Sequence, residues 1–241
     1  MNLQVCMPYE RCVFNCPMCV ARGHKHNYKF DNLYETNRGE WRSALSKAAS
    51  IADDIVITGE CDPTQNANFV GDVVRLIWSD TPANVTKNIE ITTHNQKYAN
   101  AFRNLRHIET ITLSVTNARE YLSAWKAEKP DYIANHYRMV ILLTKDFNFL
   151  NADNFNPMGF DQVTFKTLQY GEDGEVNRWI YENKMDDEHL EEIRKIVDKF
   201  NSNGSCSVRL DTSCQTATGR YEVFRSDGKV YPSWEASEPI R

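Results

Sequence analysis

Cys12-Val13-Phe14-Asn15-Cys16-Pro17-Met18-Cys19 sets three thiols in the spacing Cys-x3-Cys-x2-Cys within the first twenty residues. Three soft thiolates on one short loop can hold a metal or a cluster and leave one coordination position open, and an open position is where a metal centre does chemistry. Just upstream, Asn2 to Met7 alternates and is β-prone, which predicts a first strand ending at the loop. The loop runs through Pro8, Pro17, Gly23 and a polar stretch to about Arg38.

From there the chain alternates. Trp41, Leu45, Ala48, Ala49 and Ala52 give Glu40 to Ala52 helical spacing, and Asp54 to Thr58 reads as a short apolar strand. The same pair recurs: helix over Phe69 to Trp78, strand over Asn88 to Thr93; helix over Gln96 to Leu105, strand over Thr110 to Val115. Ala118 to Ala127 is helical, Pro130 interrupts, and Tyr137 to Thr144 is the most hydrophobic strand; after a connector, Gln162 to Leu168 is a further strand. Six strands separated by helices or helix-length connectors argue for a parallel sheet with crossovers. Strands this apolar are expected to be covered on both faces, in a barrel or a doubly wound sheet.

After Leu168 the pattern changes. Tyr170 to Trp179 is rich in Gly and charge; Asp186 is a candidate N-cap for a helix with the apolar face Leu190, Ile193, Ile196, Val197 and Phe200, closed by Asn203-Gly204. Ser207 to Leu210 reads as an added strand, and Ser226-Asp227-Gly228 between two β-prone runs signals a hairpin. This divides the chain into a core over 1–170 and a C-terminal extension over 171–241 packed on it.

With 241 residues, 41% hydrophobic and 25% charged, the chain is long enough for one sizeable core and lacks the composition of a disordered one. A net charge of -5 gives no electrostatic footprint for bulk nucleic-acid binding. Neither a signal sequence nor a membrane-spanning run is legible, so a cytoplasmic protein is expected. Seven cysteines, four of them between Cys6 and Cys19, do not resemble a secreted disulfide framework; metal ligation or redox chemistry fits better. A structural zinc would need a fourth ligand from Cys6, Cys61, His24 or His26, and only one Cys-x2-Cys pair is present where zinc ribbons bring two. No Ser-His-Asp set, phosphate loop or His-Glu-x-x-His pattern occurs, and Tyr9, Tyr170, Tyr231 and the six histidines receive no catalytic role.

The three cysteines after a first strand, followed by βα alternation, resemble the radical S-adenosylmethionine superfamily. That resemblance implies an incomplete (βα)6 barrel of the TIM type, open on one side. It implies that Cys12, Cys16 and Cys19 bind three irons of a four-iron, four-sulfur (4Fe-4S) cluster, the fourth iron being chelated by S-adenosylmethionine, with Met18 near the adenine. Thr58-Gly59-Glu60-Cys61-Asp62-Pro63 is similar to the family's Gly-Gly-Glu-Pro run: Gly59 and Glu60 match, Thr58 replaces the first Gly and the Pro is displaced. A Gly permits close backbone approach and a carboxylate pairs with the methionine ammonium. Thr93, in Thr92-Thr93-His94-Asn95, and Ser114 fall where the family meets the nucleoside, at the carboxyl ends of strands; the plainer reading is that they cap the next helix. Arg138 is a candidate partner for a carboxylate, or else a solvated strand-edge charge. Near the end, Asp227-Gly228-Lys229-Val230-Tyr231-Pro232-Ser233 is similar to a hairpin that carries a cysteine in enzymes with extra clusters. Here Ser233 stands at that place, so Cys206 and Cys214 are read as buried or substrate-side thiols, with Tyr231 and Trp234 closing the open side of the barrel.

The activity so implied is reductive cleavage of S-adenosylmethionine to a 5′-deoxyadenosyl radical that abstracts hydrogen from a small-molecule or nucleotide substrate, with a low-potential electron donor such as flavodoxin or ferredoxin. The alternatives are a glycyl-radical activating enzyme working on a partner protein and a zinc-stabilised binding module without catalysis.

Overall fold

The computed structural model describes residues 2–8, 12–19, 31–82, 84–157, 159–171, 173–204, 206–212, 221–234 and 236–241. Tyr9, His24, His26 and Cys214, considered above, lie outside the described residues.

Seven strands, β1 (Asn2–Met7), β2 (Asp54–Gly59), β3 (Asn88–Thr93), β4 (Ile108–Val115), β5 (Ala134–Leu142), β6 (Gln162–Lys166) and β7 (Ser207–Asp211), pair in parallel in chain order. On the other side of β1, β8 (Glu222–Phe224) pairs in parallel and β9 (Val230–Tyr231) turns back antiparallel to it. The sheet therefore reads β7-β6-β5-β4-β3-β2-β1-β8-β9, and its edges β7 and β9 do not meet. This is the open barrel the sequence leads one to expect, with the chain after 170 adding strands at both edges of the one sheet.

Two unlike faces follow from the strand alternation. Leu3, Val5, Ile55, Ile57, Ile89 and Ile91 point outward into one core shared with α2 (Arg38–Ser50) and α3 (Ala67–Asp80), a short α1 (Leu33–Thr36) preceding them. Trp41 and Leu45 of α2 and Val70 and Val73 of α3, placed by helical spacing, are fully buried there. Each helix starts on an Asn whose side chain accepts a backbone N–H: Asn37 from Glu40 and Asn66 from Phe69. The inner face differs from expectation. It is not packed by a second apolar layer but carries Glu90, Thr92, Ser114, Arg138, Gln162 and Thr164, half-buried, around a lumen. Strands such as Ile89-Glu90-Ile91-Thr92 alternate, with the buried side chains on the helix side only.

Other helices are α4 (Tyr98–Phe102), α5 (Ala118–Ala124), α6 (Gly174–Asn183) and α7 (Asp187–Asn203). α7 begins on Asp186, whose carboxylate accepts from His189 N, and ends on Gly204 at φ 66, in the left-handed conformation that favours glycine. α6 is unanticipated: only Val176 and Ile180 of its residues are buried, too few to announce a helix, while Asp173 caps it by accepting from Glu175 N and Val176 N. β5 begins three residues earlier than expected because Ala134 already pairs with Ile108, and it stops short of Thr144, where a 3-10 turn over Lys145–Phe147 takes over. Among the described residues no helix is long and apolar enough to cross a membrane.

Candidate cofactor site

Cys12 to Cys19 emerges beyond the carboxyl end of β1. Pro17 supplies the fixed φ for a turn in which Cys19 N donates to Cys16 O at 3.1 Å, so the last two thiols are folded toward each other. Asn15, at φ 45, takes the left-handed conformation that Asn tolerates better than most residues. Three contacts seat the loop. Val13 N donates to Gln65 Oε1 at 3.0 Å, the Phe14 ring meets the His94 ring edge-on at 5.0 Å, and Met18, buried, packs with Leu168, Val176 and Ile180. Cys16, Leu142 and Trp179 pack against that last cluster, so α6 forms a wall beside the thiols.

Burial, then the charges of Cys19, Cys12 and Glu120, push the Cys16 thiol up to about 12. A cationic centre beside Cys16 would act in the opposite sense and favour its thiolate. Among the described residues no three His, Cys, Asp or Glu side chains converge as ligands of a single metal ion. A cubane cluster makes a different demand, because each thiolate meets its own iron. A half-buried trio of soft donors on a turn fits that group.

Gly59 ends β2 directly beside the end of β1, paired with Met7. Its φ is +139, and a Cβ there would lie 2.8 Å from Met7 N and 3.0 Å from Cys6 Cα, so only glycine lets the two strand ends lie this close. Glu60 follows. Burial pushes its carboxyl up to about 6, and the positive charge of Arg225 pulls the other way. A ligand ammonium would act in the same sense as Arg225 and restore the charge. Arg225, 1% exposed, stacks on Tyr231 at 4.2 Å and donates to Trp234 O at 2.6 Å; Trp234 Nε1 donates to Gln4 Oε1 at 2.8 Å. The C-terminal hairpin thus borders this end of the sheet.

The strand-end polar residues divide. Ser114 lies on the lumen face with Thr112 and Arg138. Thr93 does not: it is buried on the outer side of β3, its Oγ1 donating to both Asp62 oxygens at 2.8 and 2.9 Å. The lumen residue at that level is its neighbour Thr92. Arg138 is tied by Nη1 to Glu90 Oε2 at 2.8 Å and by Nε to Gln162 Oε1 at 2.9 Å. It lines a cavity of about 330 Å³ with Asp54, Asn88, Glu109 and Thr110, residues at the starts of strands, whereas Cys12–Cys19 lies beyond their ends. Arg138 is therefore held in a cross-lumen network on the amino-terminal side. Cys6, Cys61 and Cys206 are buried; Cys61 Sγ donates to Pro8 O at 3.5 Å.

Sequence reasoning passed over Asp62 and Glu120. Asp62 also accepts from Thr64 N, Thr64 Oγ1 and His94 N, joining the loops after β2 and β3. Glu120 accepts from Thr116 N at 2.7 Å and pairs through Oε1 with His94 Nε2 at 2.9 Å. The signal was local: Asn117-x-x-Glu120 is a helix-start pattern, with Asn117 Oδ1 accepting from Glu120 N.

An incomplete parallel barrel with three cysteines on the loop after its first strand is the fold of the radical S-adenosylmethionine enzymes, and this chain has that fold. Among solved structures it is similar to anSMEcpe, an anaerobic sulfatase-maturating enzyme of that class. The complex "Native anSMEcpe with bound AdoMet and Kp18Cys peptide" superposes with a TM-score of 0.64 at 14% identity, over 98% of this chain and 75% of that one. "Native anSMEcpe with bound AdoMet and Cp18Cys peptide" gives 0.63 at 14% identity, over 98% and 74%. No protein-family model matches the sequence, and the comparison with curated proteins finds no match.

Proposed function

We propose that this chain is a radical S-adenosylmethionine enzyme. The observation that carries the reading is the seating of three thiols and the Gly59-Glu60 corner at the same end of one open barrel. Cys12, Cys16 and Cys19 would hold the 4Fe-4S cluster and Glu60 the ammonium of S-adenosylmethionine, with Met18 and Ser114 beside the nucleoside. A cluster held there would supply the electron for reductive cleavage of S-adenosylmethionine, and with it the radical chemistry that removes a hydrogen atom from substrate. The chain's own part is to seat the loop through Gln65, His94 and α6, to keep Glu60 ionised, and to present substrate from a lumen whose polar lining favours a hydrogen-bonding molecule over an apolar one. The electron would come from a low-potential donor such as flavodoxin or ferredoxin.

A small molecule or nucleotide is the substrate class favoured here, because the lumen is lined by fixed polar side chains. A peptide is the second reading, favoured by the peptides bound in two structural neighbours. Anaerobic reconstitution with iron and sulfide, then S-adenosylmethionine and dithionite, is expected to give 5′-deoxyadenosine, and Cys16→Ala to abolish it. A colourless protein holding stoichiometric zinc overturns the reading. Deuterium carried into 5′-deoxyadenosine from metabolite, peptide or glycyl-radical-partner pools separates the substrate classes.

A further inference from the structure

Resting on that reading, we propose that His94 and Glu120 are positioning residues for the cluster: His94 clamps the loop through Phe14, and the Glu120 carboxylate lowers the potential at which the cluster accepts its electron. Three observations converge. The His94 ring holds the Phe14 ring edge-on at 5.0 Å, midway between Cys12 and Cys16 in sequence. His94 is itself fixed at two points, its backbone N donating to Asp62 Oδ2 at 2.7 Å and its Nε2 lying 2.9 Å from Glu120 Oε1. Glu120 is fixed in turn, its second oxygen accepting from Thr116 N at 2.7 Å and Thr116 Oγ1 at 2.9 Å. Both side chains are largely withdrawn from water, 13% and 24% exposed, so the carboxylate's field is weakly screened.

The direction follows from charge. Reduction adds one electron to a centre already carrying three thiolates, and a neighbouring carboxylate opposes it. A lower potential makes the electron, once accepted, a stronger reductant toward a sulfonium. No ligand-side role is needed for either residue.

The test has one arm on the loaded protein and one on the metal-free chain. Glu120→Gln keeps a carbonyl oxygen for Thr116 and removes the charge; the cluster midpoint potential, read by redox titration with EPR detection, is expected to rise by about tenfold in the reduction equilibrium, ~59 mV for one electron. Glu120→Asp, which keeps the charge, is expected to stay near the wild-type potential. An unchanged potential in Glu120→Gln at full iron content overturns the electrostatic role. On the metal-free chain, His94→Ala is expected to speed hydrogen exchange at the Val13 and Phe14 amides about tenfold, while His94→Phe, which preserves a ring against Phe14, is expected to change it less. Equal exchange in all three proteins overturns the clamp. A wild-type chain that takes up no cluster defeats the radical reading, and the exchange arm still decides the clamp.

Discussion

Glu60→Gln should make the metal-free protein more stable while removing the group assigned to the cofactor ammonium. In the folded chain burial raises the Glu60 carboxyl from 4.5 to about 6, with Arg225 offsetting part of the burial. At about 1.4 kcal/mol per pH unit, that difference is a cost of about 2 kcal/mol to hold the charge in the fold. The raised value fixes the sign. Above pH 6 the carboxylate is ionised folded and unfolded, and the fold carries the whole cost. As pH falls through 6 the folded form takes up its proton first, and below 4.5 both forms are protonated and the cost is gone. Glutamine never carries it. Urea denaturation at pH 8 should therefore show the variant about 2 kcal/mol more stable, roughly 4–8 °C in melting temperature for a chain of this size, with the gap closing between pH 6 and 4.5. In the same variant S-adenosylmethionine binding should weaken. A variant less stable than wild type at pH 8, or a gap that does not change with pH, would refute the argument that Glu60 is a charge held in place for a ligand.

Gly59→Ala places a Cβ 2.8 Å from the Met7 backbone nitrogen at φ +139, so stability should fall by about 1–3 kcal/mol from backbone strain, more if β1 and β2 separate; an unchanged urea midpoint contradicts the close approach. Arg138→Met leaves Glu90 without its cation in the lumen, and a double-mutant cycle with Glu90→Gln should give a coupling near 1 kcal/mol, since both side chains are partly exposed; zero coupling would free Arg138 for the cofactor.

Periodicity found the strands because each has its apolar residues on one face: Asn88–Thr93 is predicted and observed with the same bounds. The helix over Gly174–Asn183 escaped because its work is local, two buried side chains against Met18 and Leu168, and a two-residue stripe has no measurable period. Among candidate site residues, the cysteine spacing carries its meaning in the chain itself. Arg138, a candidate carboxylate partner, has one in Glu90. Thr93 was a candidate by its place at a strand end, and that place does not say which face a side chain takes. A one-residue step moves it across the sheet, so Thr92 rather than Thr93 faces the lumen. Asn117-x-x-Glu120 announces a helix start, but the pairing of Glu120 in α5 with His94 after β3 joins residues 26 positions apart, and no local pattern encodes such a meeting.

The same physics argues that the cofactor end is built by the whole chain. The first 170 residues supply the thiols, Gly59 and Glu60, yet Met18 is buried by Val176 and Ile180 of α6. Beside β1 the hairpin brings Arg225, a fully buried cation whose field acts on both Glu60 and the Cys6 thiol. A buried guanidinium is costly unless something negative answers it. Its Tyr231 stack and its bonds to the Ser233 and Trp234 carbonyls answer part of that cost locally, and Glu60 answers at longer range. Each charge thus lowers the cost of burying the other, and the segment added after β7 helps the carboxylate after β2 stay ionised in a place where burial alone would neutralise it.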